Sequence, residues 1–321
     1  MPIILSPALI CFGEVLGLIS NAPDARLEIS RHAELGFAGA ESNVAIALAR
    51  LGHGVSLFTA LGDDPFGWRI LKSLRGEGVG CGAVEVVAGS TTALMLRDRP
   101  AWGEPSVYYY RRSSAFAASC AALAGKISLS KDDLLFLSGI TPALGPECLE
   151  VVSELLHRAK AAGAKVWFDV NFRSKLWTPL DACAFFKNYL PHMHGVFTSR
   201  AEAGIIFPNS APDDLSRRFL GSGVKELVVK AGKDGAIYSS ADQSVSRGAF
   251  PIPREIDPIG AGDAFNAGFL SARIDRLPIE EQLERGCALG ALACLNRGDW
   301  EGSPTRIELE RFLQGTPASI R

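Results

Sequence analysis

The chain has 321 residues, 47% of them apolar, and a formal charge of −2. That length suits one large α/β domain with an appendage, or two unequal domains, with ample material for a core. No long Lys/Arg run marks a nucleic-acid face. Polyanion binding is therefore a poor default. No apolar run approaches the ~18–20 residues of a membrane span.

The segment from Met1 to Ile10 is apolar and has no basic leader, since the first basic residue is Arg26, so a cleaved signal peptide is not expected. The seven cysteines, at 11, 81, 120, 148, 183, 287 and 294, form no C-x-x-C and are odd in number. They read as reduced thiols of a cytoplasmic protein. His192 and His194 have no acidic or cysteine partner at ligand spacing and read as loop or surface residues.

In chain order, Ala8 to Phe12 reads as a first strand, followed by Gly13 and Glu14. Glu41 to Leu51 has helical apolar spacing and stops at Gly52. Val55 to Leu61 reads as a buried strand and Phe66 to Leu74 as the next helix. This strand–helix alternation predicts a mostly parallel sheet covered by helices. Two stretches break the rhythm. Ala93 to Arg97 and Val107 to Arg112 are short and strand-prone, with Pro100, Gly103 and Pro105 between them, and 14–36 is poor in helix signals. These pieces predict a small β-rich lid made of 14–36 and 89–114, with 1–13, 37–88 and 115–321 as the main domain. A pair of ordinary surface hairpins is the simpler alternative. Alternation then returns: strands at Leu134–Ser138, Val166–Val170 and Val196–Thr198, and an amphipathic helix from Cys148 to Ala162 ending at Gly163. Leu227–Lys230 and Ala236–Ser239 flank a Lys-Asp-Gly turn. Helices are expected near 263–274, 279–296 and 306–313.

Chemistry is concentrated in Asp257-Pro258-Ile259-Gly260-Ala261-Gly262-Asp263-Ala264-Phe265. Pro258 favours an extended Asp257. Gly260 and Gly262 let the backbone bend and approach a ligand closely. A helix begins here, so free N–H groups at its positive end attract phosphate. Asp263 falls in the first turn, where a carboxylate can take a proton from an attacking hydroxyl. By itself, this run is equally compatible with ordinary helix capping. The fingerprints G-x-x-x-x-G-K-[ST] and G-x-G-x-x-G after the first strand are absent.

The nine-residue run resembles the signature of the ribokinase-like, or PfkB, carbohydrate kinases, with Pro258 where Thr is usual. Gly39-Ala40-Glu41-Ser42-Asn43-Val44-Ala45 and Gly62-Asp63-Asp64-Pro65-Phe66-Gly67 resemble the same family's N-terminal signature. The resemblance covers nearly the whole chain. It implies a three-layer ribokinase-like α/β fold, Asp263 as catalytic base, and Gly260, Ala261 and Gly262 as an anion hole. It also implies Gly39 and Asn43 as sugar contacts, and ATP and Mg²⁺ as cofactors, with a monovalent cation left open. Ser199-Arg200-Ala201-Glu202 stands where the family shows N-x-x-E, which implies Glu202 beside Mg²⁺ through water and Ser199 near the nucleotide. Lys230, Gly232 and Gly235 match the family's nucleotide loop.

Within the family, Tyr108 to Ala115, Leu137 to Pro142, Asp169 to Trp177 and Arg297-Gly298-Asp299 resemble the 2-keto-3-deoxygluconate kinases. This implies Tyr109, Arg111, Arg173 and Asp299 as contacts to a sugar acid. Chemistry agrees, because a buried carboxylate needs cationic donors and Arg offers a planar fork. Met95 stands where these kinases often place a lid Tyr. A fructokinase or ribokinase of the same family is the alternative, and a non-catalytic sugar-binding protein on the kinase fold a remote one. The resemblance further implies a homodimer joined through the lids.

Overall fold

A computed structural model describes residues 9–21, 26–99, 105–211 and 214–315. Met1 to Ala8, including the expected start of the first strand, and the Pro100 and Gly103 part of the loop lie outside these residues. The main sheet runs, from one edge, β13 (Ser244–Arg247), β12 (Ala236–Ser240), β11 (Glu226–Lys230), β10 (Gly195–Ser199), β9 (Lys165–Asp169), β8 (Leu134–Ser138), β1 (Leu9–Phe12), β4 (Val55–Gly62) and β5 (Val84–Val87). Pairing is parallel from β5 to β11, and β12 and β13 add on antiparallel. The strand β1 and Leu134–Leu137 of β8 are continuous buried apolar runs, as expected where both faces are covered.

Helices cover each face. On one side α1 (Ala40–Arg50), α8 (Ala261–Ile274) and α9 (Ile279–Ala293) pack over Leu57, Phe136, Phe197 and Val228, with α2 (Pro65–Gly76) and α10 (Arg306–Leu313) beyond them. On the other, α3 (Ala115–Gly125), α4 (Pro146–Ala162), α5 (Pro179–Tyr189), α6 (Arg200–Ile206) and α7 (Leu215–Gly221) pack over Leu135, Leu137, Phe168 and Val196. The fold is thus a three-layer α/β sandwich with a mostly parallel sheet. The helix expected to end at Gly163 does so, with that glycine in the left-handed region at φ 75°.

The sequence reading omitted α3, α5, α6 and α7, and the first two show why. The first, Ala-Phe-Ala-Ala-Ser-Cys-Ala-Ala-Leu-Ala-Gly, is apolar or small all round, so it has no periodic face to reveal it. The second carried a legible start: Thr178 and Asp181 form a reciprocal capping box with Pro179 at the first helical position.

A second sheet has the order β3 (Ala33–Ala38), β2 (Leu16–Asn21), β6 (Ala93–Asp98) and β7 (Ser106–Tyr110). Side-chain alternation gives it two faces. Leu16, Leu18, Met95 and Tyr109 share a small apolar cluster on the inner face. Tyr108 and Tyr110 point the other way and are exposed. Its root is stitched to the main sheet by Asp64. That carboxylate caps α2 through the Gly67 N–H at 2.8 Å and also accepts the Thr92 N–H at 2.7 Å and the Thr92 hydroxyl at 3.0 Å.

Asp64→Ala loses a helix cap and both links to Thr92. The expected cost is about 1–2 kcal/mol, at the upper end for a helix cap. Urea denaturation checks it: the midpoint should fall, and Asp64→Asn, which can still accept, should recover part of the loss.

Candidate active site

The main sheet delivers polar groups at the carboxyl ends of its parallel strands, where open α/β sheets bind ligands. Asp169 ends β9, Ser199 ends β10 and Lys230 ends β11. Glu14 follows β1, and Ser138 ends β8. The second sheet's inner face lies over this edge, so Met95, Arg97 and Tyr109 line the same cavity as Gly39, Asn43 and Asp263.

That cavity, about 210 Å³, also takes in Glu14, Arg111, Arg173, Gly260 and Asp299. A larger one of about 770 Å³ is lined by Lys230, Gly232, Gly235, Ala261 and Gly262, with apolar walls from Phe250, Ile252 and Phe265. The turn 260–262 therefore stands between two cavities. Asp263 faces the smaller and the backbone of Gly262 the larger, an arrangement suited to moving a phosphoryl group from one bound molecule to another.

Gly260 caps α8 in the left-handed region at φ 77°, and a β-carbon there would stand 1.9 Å from the Asp299 carbonyl oxygen, so only glycine fits. Gly262 faces open space apart from the Lys230 ammonium, 3.5 Å from where its β-carbon would be. One expectation needs correction. The Ala261 N–H is turned back onto the Pro258 carbonyl at 3.2 Å, because the helix opens with a tight turn. Among the anion-hole residues Ala261 is thus not a free donor, and the first-turn amides of Gly262 and Asp263 lie beyond it.

Asp263 accepts a hydrogen bond from Asn43 Nδ2 at 2.8 Å. Burial pushes its pKa up to about 7, and the Asn43 bond moderates that rise. Asn43 Oδ1 is left buried without a partner, as is Arg97 Nε. Both are polar atoms in a cavity that would suit a polyhydroxylated ligand. Nearby, Glu41 is fully buried and accepts from the Ser138 N–H at 3.0 Å and hydroxyl at 2.7 Å. Burial raises its pKa to about 7 as well.

Several sequence-predicted residues come with partners that the sequence did not reveal. Arg111 is paired with the buried Glu14 at 2.6 Å, and Ser114 also donates to Glu14. Asp299, expected as a sugar contact, is held bidentately by Arg97 at 2.8 and 3.0 Å. Glu202 has both oxygens engaged: one takes the Phe172 N–H at 3.0 Å, the other the Ser199 N–H and hydroxyl at 2.8 Å. Ser199 and Glu202 form the capping box of α6, a structural duty for both. Lys230 is gripped by Asp169 at 2.9 and 3.0 Å and reaches Asn266 at 3.3 Å. Gly235 is demanded by packing, since a β-carbon would meet the Arg247 carbonyl oxygen at 1.9 Å. Arg173 alone of the expected cations is exposed, its guanidinium donating to the Phe172 carbonyl at 3.2 Å.

Glu14, Arg97, Asp169 and Asn266 were missed as site residues. Asp169 had a signal, because it opens the Asp-Val-Asn-Phe-Arg run that supplied Arg173. Glu14 had a weaker one, its place directly after the first strand. Arg97 and Asn266 had none beyond their position in a strand and a helix.

Two cavities meeting at a glycine-rich helix start, with a carboxylate aimed into one of them, define a phosphotransferase site of the carbohydrate kinase class. Sequence comparison agrees. Residues 7–306 match the pfkB family carbohydrate kinase, and the chain belongs to that family. It is 31% identical over 95% of its length to the 2-dehydro-3-deoxygluconokinase of Bacillus subtilis (strain 168), of which 94% is covered. It is 32% identical over 98% of its length to the 2-dehydro-3-deoxygalactonokinase of Haloferax volcanii, of which 99% is covered. The crystal structure of a PfkB protein from Polaromonas sp. JS666 superposes with a TM-score of 0.84 at 31% identity, covering 95% of this chain and 99% of that one.

With pKa values near 7, Asp263 and Glu41 both hold protons more tightly in the folded than in the unfolded chain. The stability they contribute is fully present below their ordinary carboxylate range and is lost as pH rises through about 7. Glu41→Gln should therefore flatten the fall in stability between acid and pH 8 and raise the urea midpoint at pH 8. Midpoints at pH 5 and pH 8 for both proteins test this.

Proposed function

We propose that this kinase transfers the γ-phosphoryl group of ATP to the terminal hydroxyl of a 2-keto-3-deoxy sugar acid, with 2-keto-3-deoxygluconate as the substrate and its 6-phosphate as the product. The observation that carries this reading is Arg173, a cation with no carboxylate ion pair among the described residues and close enough to act on the Asp263 charge, on the cavity that Asp263 faces. The names of the similar Bacillus and Haloferax proteins support a substrate of this kind.

In this mechanism the sugar acid lies in the smaller cavity with its carboxylate toward Arg173. Tyr109 forms one wall, and Gly39 permits close approach, since a β-carbon there would crowd the Glu14 carbonyl at 2.6 Å. Asn43 serves the sugar through its open Oδ1 while its Nδ2 holds Asp263 in place. Asp263 takes the proton from the hydroxyl, whose oxygen attacks the γ-phosphorus as the bond to ADP breaks. ATP occupies the larger cavity along Gly232 and Gly235, with its phosphates at the Gly262 amide and Lys230. Such transfers depend mainly on positioning and charge stabilisation. Among the described residues no group of three or more acidic, His or Cys side chains forms a metal site. Glu202, with both oxygens already accepting, fits Mg²⁺ through water rather than directly. When bound, Mg²⁺ supplies charge neutralisation on the ATP phosphates. A monovalent cation is a further expectation, to be tested by potassium dependence.

The second sheet, expected to comprise 14–36 and 89–114, acts as the lid, and its strand β3 continues to Ala38, two residues past the expected boundary. Its outer face carries exposed Leu35, Tyr108 and Tyr110. A second copy docked lid to lid would cover them, and light scattering showing a monomer at micromolar concentration would oppose that arrangement. Among the described residues no helix is long and apolar enough to cross a membrane, and the cytoplasm is the proposed location.

A neutral sugar is the second reading, favoured by one observation: Glu14 already neutralises Arg111, so of the two arginines expected to contact a sugar acid only Arg173 has no carboxylate ion pair among the described residues. A panel of sugars with an ADP-release assay decides. Higher kcat/KM for fructose or ribose than for 2-keto-3-deoxygluconate overturns the acid reading. With the acid, Arg173→Ala should raise KM by an amount worth roughly 2–3 kcal/mol, the scale of a charged hydrogen bond, and leave KM for ATP unchanged. Asp263→Asn should keep ATP binding and lose about 10²–10⁴ in kcat. In the parent, kcat should rise with pH through an inflection near 7 as Asp263 ionises.

A further inference from the structure

The lid strand β6 carries Arg97 on its inner face, and Arg99 follows one residue past the strand's end at Asp98. Each meets a buried carboxylate of the main domain. Arg97 holds Asp299 through two parallel bonds, with the pair 4% and 8% exposed. Arg99 Nη2 meets Asp257 at 2.6 Å. Neither carboxylate is a neutral bystander. Asp257 opens the anion-hole turn, and its second oxygen accepts the Ile259 N–H at 3.2 Å, so one carboxylate joins that turn to the lid. Asp299 bears on the same turn from the other side. Its carbonyl oxygen is packed so tightly against Gly260 that no β-carbon could stand between them. The turn 257–260 is thus bracketed by two residues, and each is anchored to the same lid strand.

Burying three charged groups and half-burying a fourth is expensive, and a purely structural seam could be made from apolar contacts at no such cost. The bidentate fork fixes direction as well as distance, which apolar packing does not. We propose that Arg97 and Arg99 are positioning residues, a clasp through which the seating of the lid sets the geometry of the anion-hole turn, so that lid docking and assembly of the phosphoryl site are one event. The clasp touches neither reacting atom. It rests on the kinase reading above for its effect on turnover, and on the ion pairs alone for its effect on the turn.

Other groups press on the same turn. Asp257 N–H and Ile256 N–H both donate to the Cys294 carbonyl, at 3.3 and 2.8 Å, so the turn's base is fixed to α9 independently of the lid. The clasp therefore controls residues 257–260 and not the position of the segment before them.

Amide hydrogen exchange on the full-length protein, without ligand, tests the proposal directly. In Arg99→Gln, amides of the segment 259–262 should exchange roughly tenfold faster than in the parent, as expected for a local opening made easier, while amides of α4 stay unchanged. With the sugar that the parent turns over, kcat should fall roughly 10²-fold, the scale for misplaced reacting groups, with both KM values within about threefold. Arg99→Lys, which keeps the charge, should recover part of both losses. Arg97→Gln leaves Asp299 buried and unpaired. Where it does not fold, Arg99→Gln, whose side chain is 22% exposed at the rim, carries the test. Unchanged exchange at 259–262 in a folded Arg99→Gln overturns the clasp, and so does a loss of activity confined to KM. Absence of sugar-acid turnover by the parent overturns the substrate reading and leaves the exchange result to decide the clasp.

Discussion

The contact between Gly260 and the Asp299 carbonyl is the constraint on which the site depends. Gly260 occupies the left-handed region, which an L side chain adopts only with strain, and the neighbouring chain leaves it no room for one. This closeness sets where α8 begins. It places Gly262 on the larger cavity and Asp263 on the smaller one. Asn43, from the opposite end of the chain, then closes on Asp263 because α1 packs beside α8.

Charge around the cavity is organised in pairs. Glu14 answers Arg111, Asp299 answers Arg97, Asp257 answers Arg99 and Asp169 answers Lys230. Paired charges can be buried where single ones cannot, because each supplies the field that solvent no longer provides. The groups left over are the informative ones. Asp263 is held by a neutral amide and not by a cation, so burial raises its pKa toward neutrality, where a general base works best. Arg173 remains exposed on the rim of the same cavity. An unanswered anion and an unanswered cation in one small space are what a hydroxy acid could complete.

The parallel sheet explains why so many of these residues converge from distant parts of the sequence. β1, β8, β9, β10 and β11 point the same way, so the residue that ends each one arrives at the same edge. Helix caps then reuse that edge. Ser199 and Glu202 cap α6, and Glu202 also takes the Phe172 amide, fixing the loop that carries Arg173. One carboxylate thereby sets both a helix start and the backbone next to the cation proposed to bind substrate.

Much of the fold was written in local patterns. The strands β1, β4, β8, β9, β10 and β11 are short apolar runs, and the helices α1, α2, α4, α8 and α9 carry periodic faces or stop at glycine, features that act within a few residues. The Gly260 to Asp263 run and the Asn43 helix start were legible for the same reason, since a sharp turn and a helix terminus each need particular residue types at fixed spacing. The Ala-rich α3 was hidden because helix propensity without an apolar face leaves no period to read. What tertiary structure alone decided was which charges meet. Glu14 finds Arg111 across 97 positions and Arg97 finds Asp299 across 202. Those pairings depend on the lid's seat over the sheet edge, a long-range packing outcome that no local pattern encodes. By itself the sequence determined the glycine-rich turn and the carboxylate at the helix start, because both need particular residues at fixed local spacing, and the tertiary structure decided which arginines are ion-paired, because those pairs form between distant segments.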